Sequence, residues 1–345
     1  MNKTDLKNVH LLALIPGHRL FGSERGNIEA LKSLERQGAR VTVLVTARVP
    51  SGGAVGEECR RLGFDTVEFH YGSHFSKKWM MEIKSYRNRQ IKRIWSHSLR
   101  LLKIVDETNP THIMLGTPNI FIFFAIGLTI RRIPLIYRMG DSPPKDSRFQ
   151  MFFWHWLARR SNKIVAISEF IKNQAHKSNF LTRNKTIVIL NKCIEREGPP
   201  AEKSIDNLRE QKAFLQLIFV GQTTPQKGTP ELVQALIDLD NKNVGCWILG
   251  SSKYEKPLKE LINNTQSATK IEFLGFIKDP SAHLAAADWH IAPSVYDEPL
   301  GNVVQEAKAA GTPSIVSPNG GLHELIQNHK DGLILKQATS EQIRT

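Results

Sequence analysis

The chain has 345 residues, 41% of them hydrophobic, and no long low-complexity tract, which suits two globular domains and argues against disorder. Its three cysteines, Cys59, Cys193 and Cys246, form no CxxC pair and have no His at metal-ligand spacing; this excludes a disulfide scaffold and predicts a reduced, cytoplasmic protein. The net charge of +14 is lopsided, with 33 Lys and Arg against 16 Asp and Glu in residues 1–200 but 14 against 17 in 201–345, so the first part is expected to meet something anionic: a membrane surface, a phosphorylated acceptor or a nucleic acid.

The apolar run from Val9 to Pro16 is too short for a leader and lacks a cleavage site, so residues 9–17 read as a strand ending in a Pro-Gly loop. Residues 23–38 place Ile28, Leu31 and Leu34 on one helix face and end at Gly38; residues 39–47 are a β-branched buried strand. Strand, helix and strand in this order form a βαβ unit and imply a parallel sheet. A basic stretch at 77–103, nine Lys and Arg against one Glu, spaces Ile83, Ile91, Ile94, Trp95, Leu99 and Leu102 for a helix with a cationic flank. It reads either as a solvated helix over the core or as a contact with an anionic membrane. Strands recur at 111–117, 134–140, 163–168 and 185–191, and RFQMFFWHWLARR (148–160) adds aromatics beside arginines. The most apolar stretch, 119–130, has twelve residues where a spanning helix needs about 20.

The polar stretch 192–212, with its double proline, predicts a linker at 196–212 between an N-terminal domain, 1–195, and a C-terminal domain, 213–345. The βα rhythm then restarts, with strands at 214–221, 245–250, 270–275, 290–294, 313–317 and 331–336 and a helix over 229–239. The expectation is an α/β protein of two facing Rossmann-like domains with parallel sheets and a ligand cleft between them, ligands lying beyond the carboxyl ends of the strands. The loops at those ends carry the chemistry: one ends at Lys227 and Gly228, one holds Glu298 and Gly301, and one leads through Gly320 and Gly321 to Glu324. Gly301 precedes a helix whose first turn, about Asn302 to Gln305, offers free N–H groups and a positive dipole end to a phosphate. Lys227 supplies a cation for a diphosphate. Glu298 and Glu306 each suit a pair of neighbouring hydroxyls, so the loop has the shape of a nucleotide-sugar site.

Residues 273–332 resemble family-4 retaining glycosyltransferases of the GT-B fold, through FLGFIKD, AAADWHIAPS, the E-x7-E pair EPLGNVVQE, AKAAGTPSIVS, NGGLHELI and DGLIL. FGSERGNIEALKSLERQGARVTVLVT, AISEF, VILNKCIE and FVGQTTPQKG extend the resemblance over nearly the whole chain. The resemblance implies that Glu298 contacts the transferred sugar and that the amides of Leu300, Gly301, Asn302 and Val303 hold the diphosphate. It further implies that Glu306 takes the ribose, that Lys227 takes the phosphates, and that Gly22 and Ser23 close over the donor. It implies sugar transfer with retention from a UDP- or GDP-linked donor, with no other cofactor and usually no metal; no Asp-x-Asp pair is seen to hold one with the diphosphate. The implied acceptor is a glycan or lipid-diphosphate-linked molecule in surface polysaccharide or glycolipid synthesis, met in the cytoplasm or at the inner face of the membrane. Gln222 stands where the family usually has Arg or Lys, and Gly140 where it often has His, which leaves Asp141, and Arg138 beside it, as acceptor-side candidates. Family members usually continue past the position of Thr345 through helices that cross back to the first domain.

Each residue also has a plainer reading: Glu298, Glu306 and Lys227 as surface charges, Gly320 and Gly321 as a turn, Asp141 as a helix N-cap, and Glu324 as a helix residue. Four other functions compete with transfer. A GT-B epimerase lacks the EPLGNVVQE pattern, and a phosphorylase needs a cofactor lysine context that is not found. A nucleic-acid binder has charge alone in its favour, so nucleic acid is not expected as a partner. A nucleotide-sugar binder with weak or no activity is motivated by Gln222 and by the early stop at Thr345 relative to the family.

Overall fold

A computed structural model describes residues 5–71, 84–145, 148–191 and 202–345. The chain divides into two compact units, Met1–Lys192 and Cys193–Thr345, each built on one parallel sheet.

The first sheet contains β1 (His10–Leu14), β2 (Arg40–Thr46), β3 (Asp65–Phe69), β4 (His112–Leu115), β5 (Leu135–Met139), β6 (Lys163–Ala166) and β7 (Thr186–Val188). Their order is β3-β2-β1-β4-β5-β6-β7, so the connections change direction between β1 and β4 and leave a crevice at the carboxyl ends there. Every residue of β1 is buried, as befits a central parallel strand covered on both faces. On one face α1 (Gly22–Glu35) brings Ile28 and Leu31, and α2 (Gly53–Arg61) brings Val55 and Cys59. On the other, α3 (Lys84–Thr108) packs against α4 (Phe121–Ile130), where a Cβ at Gly127 would stand 3.0 Å from the Ser98 carbonyl oxygen. No helix among the described residues is long and apolar enough to cross a membrane. Residues 77–83 of the basic stretch lie outside the described residues. Farther along α3 the buried side chains are Ser98, Leu101 and Val105, while Trp95 and Leu99 are 50% and 59% exposed, so the expected apolar positions do not all face the core. The unit closes with α5 (Arg148–Arg160) and α6 (Glu169–Ser178).

In the second unit β8 (Leu215–Val220), β9 (Val244–Leu249), β10 (Lys270–Gly275), β11 (Trp289–Ala292), β12 (Ser314–Val316) and β13 (Gly332–Ile334) lie in the order β10-β9-β8-β11-β12-β13. The period of two splits its core. Phe219, Cys246 and Ile248 pack on one side with α8 (Thr229–Leu239) and α9 (Glu255–Asn263); Ile218, Trp247 and Leu249 pack on the other with α10 (Ser281–Ala286) and α11 (Asn302–Ala309). α12 (Ser340–Arg344) returns Ile343 to the α8 side. Part of the expected linker is helical: α7 (Glu202–Gln211) packs on α10 through Ile205 and Leu208, an i, i+3 pair too sparse to read as a helix face in isolation. Residues 192–201 lie outside the described residues.

One buried group links the second sheet to pH. His290, fully buried on β11, shares a 3.0 Å hydrogen bond between Nδ1 and Ser314 Oγ on β12. Burial lowers its pKa to about 4. The unfolded chain therefore binds the proton first, so stability is complete above pH ~6.5 and falls as the pH drops from there toward 4. Denaturant unfolding at pH 7 and pH 4 is expected to show the wild type losing about 3 kcal/mol more than His290→Gln over that interval; equal losses would remove His290 as the cause.

Candidate active site

The two loops at the switch point of the second sheet are joined through their backbones. β8 runs into Gly221 and Gln222, then the short turn Pro225–Lys227, with Gly228 (φ +70°) starting α8. A Cβ at Gly228 would sit 1.9 Å from the Pro293 carbonyl oxygen in the loop after β11, so only glycine permits this approach. The Gln226 carbonyl accepts from Val295 and Tyr296 N–H at 2.9 and 3.3 Å. The loop after β12 completes the joint. Ser317 Oγ and Asn319 Nδ2 donate to the Ser294 carbonyl at 2.7 and 2.9 Å, Glu298 pairs with Gly320, and Gly321 N donates to the Glu298 carbonyl at 2.7 Å.

This scaffold brings Lys227 and Glu298 together across 71 positions of sequence. Glu298 is only 7% exposed. Its Oε1 accepts from Lys227 Nζ and, at 3.2 Å, from Ser294 Oγ; its Oε2 accepts from the Tyr296 hydroxyl. Lys227 Nζ also donates to the Tyr296 hydroxyl at 3.2 Å and stands 5.1 Å from the ring centroid. The two residues expected to hold different parts of a ligand thus hold each other, with Tyr296 and Ser294 as partners that the sequence pattern did not single out.

Leu300 is buried, and Gly301 (φ +91°) starts α11 with no side-chain cap, so the amides of Asn302 and Val303 form the positive end of an eight-residue helix. Glu306, half-buried, lies one turn along on the face of Asn302. Gln222 is exposed, and Glu324 lies in the short turn Leu322–Leu325. An Asp-x-Asp does occur, at Asp238-Leu239-Asp240, contrary to the sequence reading. It ends α8, about 16 Å along the helix from Lys227, where Asp238 accepts from Gln234 Nε2 (2.7 Å) and Asp240 from Ala268 N (2.6 Å); neither can reach a diphosphate beside α11.

In the first unit, Gly22 opens α1, and Ser23 Oγ donates to Glu24 Oε2 at 2.7 Å. Asp141 follows β5 and touches solvent, yet partial withdrawal from water raises its pKa, and the charge of Glu24 adds to the rise. The next described helix starts at Arg148, so Asp141 caps none. Arg138, named with it from the sequence, is a different kind of residue. It is 7% exposed and donates to the side-chain oxygens of Asn27 (2.8 Å) and Asn191, and burial lowers its pKa to about 10. It ties α1, β5 and the segment after β7 together and does not present itself to an acceptor. Glu24, Asn27 and Asn191 were not anticipated; only the charge of Glu24, beside Ser23, offered a signal.

Residues 22–191 match the family model Glycosyltransferase Family 4, and residues 201–344 match Glycosyl transferases group 1. An uncharacterized glycosyltransferase of Methanocaldococcus jannaschii is 38% identical over 34% of this chain and 30% of its own length, so the chain spans less than a third of that relative. The capsular polysaccharide biosynthesis glycosyltransferase CapM of Staphylococcus aureus is 24% identical over 69% of this chain and 67% of its own. Anabaena HepE, solved with UDP and glucose, shares the fold at a TM-score of 0.76 and 21% identity, over 97% of this chain and 88% of that one. Two glycosyltransferase family models in tandem, on two parallel sheets of matching strand order, place the chain among the glycosyltransferases of the GT-B fold.

Proposed function

We propose that the chain is a retaining glycosyltransferase that moves a sugar from a UDP- or GDP-linked donor to a glycan or lipid-linked acceptor in surface polysaccharide or glycolipid synthesis. The observation that carries this reading is the cluster of Lys227, Glu298 and Tyr296 at the switch point of the second sheet, beside the start of α11. A diphosphate there meets one ammonium and the first-turn N–H groups of a helix, and both favour negative charge as it develops on the leaving phosphate. Glu298 accepts from hydroxyls of the transferred sugar and Glu306 from the ribose. The bond from the anomeric carbon to the phosphate oxygen breaks, one to the acceptor oxygen forms on the same face, and the acceptor's hydroxyl proton passes to the departing phosphate oxygen. Lys227 and α11 supply the charge stabilisation that a divalent ion would otherwise give, so transfer proceeds without a metal. The first unit, with Asp141, Gly22 and Ser23 at its own carboxyl edge, is read as the acceptor-side unit. CapM lends support to a surface glycan as the product and HepE to UDP in the donor. A place at the cytoplasmic face of an anionic membrane draws on the exposed Trp95 and Leu99 of the basic helix α3.

Calorimetry with UDP, GDP and ADP, without metal, is expected to show selective binding of one nucleotide, weakened roughly 10- to 100-fold in Glu306→Ala by loss of hydrogen bonds to a charged acceptor. Transfer is expected to persist in EDTA and to be lost in Glu298→Gln. A folded protein that binds none of the three sinks the reading; binding without transfer favours the inactive nucleotide-sugar binder.

The loop joint is tested separately. Gly320 (φ +68°) has the Glu298 carbonyl oxygen 2.0 Å from where a Cβ would be, whereas Gly63 (φ +81°) has nothing within 4 Å. Gly320→Ala is expected to destabilise by about 2–4 kcal/mol and Gly63→Ala by only about 1 kcal/mol in chemical denaturation.

A further inference from the structure

A cavity of about 750 Å³ lies in the first unit, at the opposite end of the sheet from Asp141. It opens among the last turns of α5, the end of α6 and the short turn Phe180–Thr182. These segments lead into the amino ends of β6 and β7, and β6 alone sets about 13 Å of strand between the two edges.

Phe152, Trp156 and Arg159 follow one another on α5 at spacings of four and three, so one face of the helix forms a wall. Phe152 and Phe180 are 61% and 73% exposed. Trp156 is held edge-on to Phe152 (centroids 6.0 Å apart) and stacked on Phe153 (5.9 Å, 25°). The rim is cationic. Arg159, Lys177 and Arg183 have no side-chain hydrogen bond or ion pair among the described residues, and no described acidic residue lines the cavity. Residues 147–194 carry nine Lys and Arg against one acid, Glu169, and that carboxylate is paired with Lys172 at 3.0 Å. His176 registers the excess, since burial first, then Lys172 and Arg183, lower its pKa. Just below the surface, His176 Nε2 and Asn179 Nδ2 are buried without a partner among the described residues. The Asn179 amide cannot be turned round, because its Oδ1 accepts from Leu181 N at 3.0 Å; the amide nitrogen is the donor left over.

We propose that this cavity binds an anionic saccharide, a sugar unit carrying a carboxylate or a phosphate. Its ring lies on Phe152 and Trp156, its charge meets Arg159, Lys177 and Arg183, and its hydroxyls pair with the Asn179 amide donor and with His176 Nε2. A bare phosphate would use the cations and leave the rings uncovered, and lipid acyl chains would leave the buried polar atoms unmet. The site stands on the first unit alone and does not depend on the donor reading.

The test uses the full chain, with trigalacturonate and glucose 6-phosphate as probes and maltotriose, inorganic phosphate and phosphatidylglycerol vesicles as comparisons, followed by tryptophan fluorescence and calorimetry. The expected result is that at least one charged sugar binds roughly tenfold or more tighter than maltotriose and phosphate. That binding falls about tenfold in Arg159→Ser/Arg183→Ser and in Phe152→Ser, with unfolding midpoints unchanged. Equal binding of maltotriose, equal binding of phosphate, indifference to the substitutions, or no binding would each overturn the proposal. So would vesicle binding that alone follows the substitutions, which would make this a membrane-docking face.

Discussion

The loops after β8, β11 and β12 are bonded to one another through main-chain atoms, and the candidate site depends on that joint. Glu298 is almost wholly withdrawn from water, and an isolated buried carboxylate costs several kcal/mol. Here three donors surround it, from Lys227, Ser294 and Tyr296, and the chain can deliver them only because Gly228 lets two backbones nearly touch. Lys227 keeps 29% of its side-chain surface, so the pair adds little net stability. Its consequence is positional: an ammonium and a carboxylate are fixed at one point beside a helix start, each with a ready exchange partner in a phosphate and a hydroxyl.

The two sheets reach their carboxyl edges in the same strand order but meet them with different electrostatics. In the second unit a cation, a carboxylate and the positive end of α11 share the edge, an arrangement suited to a ligand with both charge and hydroxyls. In the first, Arg138 is buried facing amide oxygens rather than carboxylates, while burial and then the charge of Glu24 raise the pKa of Asp141. Arg138 keeps its charge at neutral pH even with its pKa near 10, so Asn27 and Asn191 must stay in place to satisfy it. That ties α1 and the segment after β7 to the end of β5, next to Asp141.

Much of this was legible in the sequence because parallel strands buried on both faces appear as unbroken apolar runs, as in HLLAL and VGCWIL. β3 was not legible. DTVEF alternates at the sheet edge with only Phe69 buried, so it offers no run. α7 shows two apolar residues in ten, and the surface that makes them a helix face lies on α10, more than 70 positions away. In the site, the E-x7-E pair and Lys227 stood out through the resemblance to the glycosyltransferase motifs more than by spacing alone. Tyr296 did not, because its significance comes from a lysine 69 positions earlier. Arg138 was legible as a charge near Asp141 but not as a buried one, since burial is set by α1 and the segment after β7.

The charge distribution separates what the two ends of the first sheet can do. Two stretches, 77–103 and 147–194, each with nine cations and one acid, account for 16 of the 17 excess positive charges in residues 1–200. At physiological ionic strength such charges are screened over about 8 Å, less than the roughly 13 Å of strand that β6 puts between the aromatic cavity and the edge carrying Asp141. Arg159 and Arg183 therefore contribute little field at the carboxyl edge. Their effect is confined to whatever lies against them, and with exposed rings beside them the cost of leaving that surface bare is paid locally. A fold that needed the cations only for solubility would have scattered them; gathering them on an aromatic wall makes sense where a negatively charged ligand is held by contact.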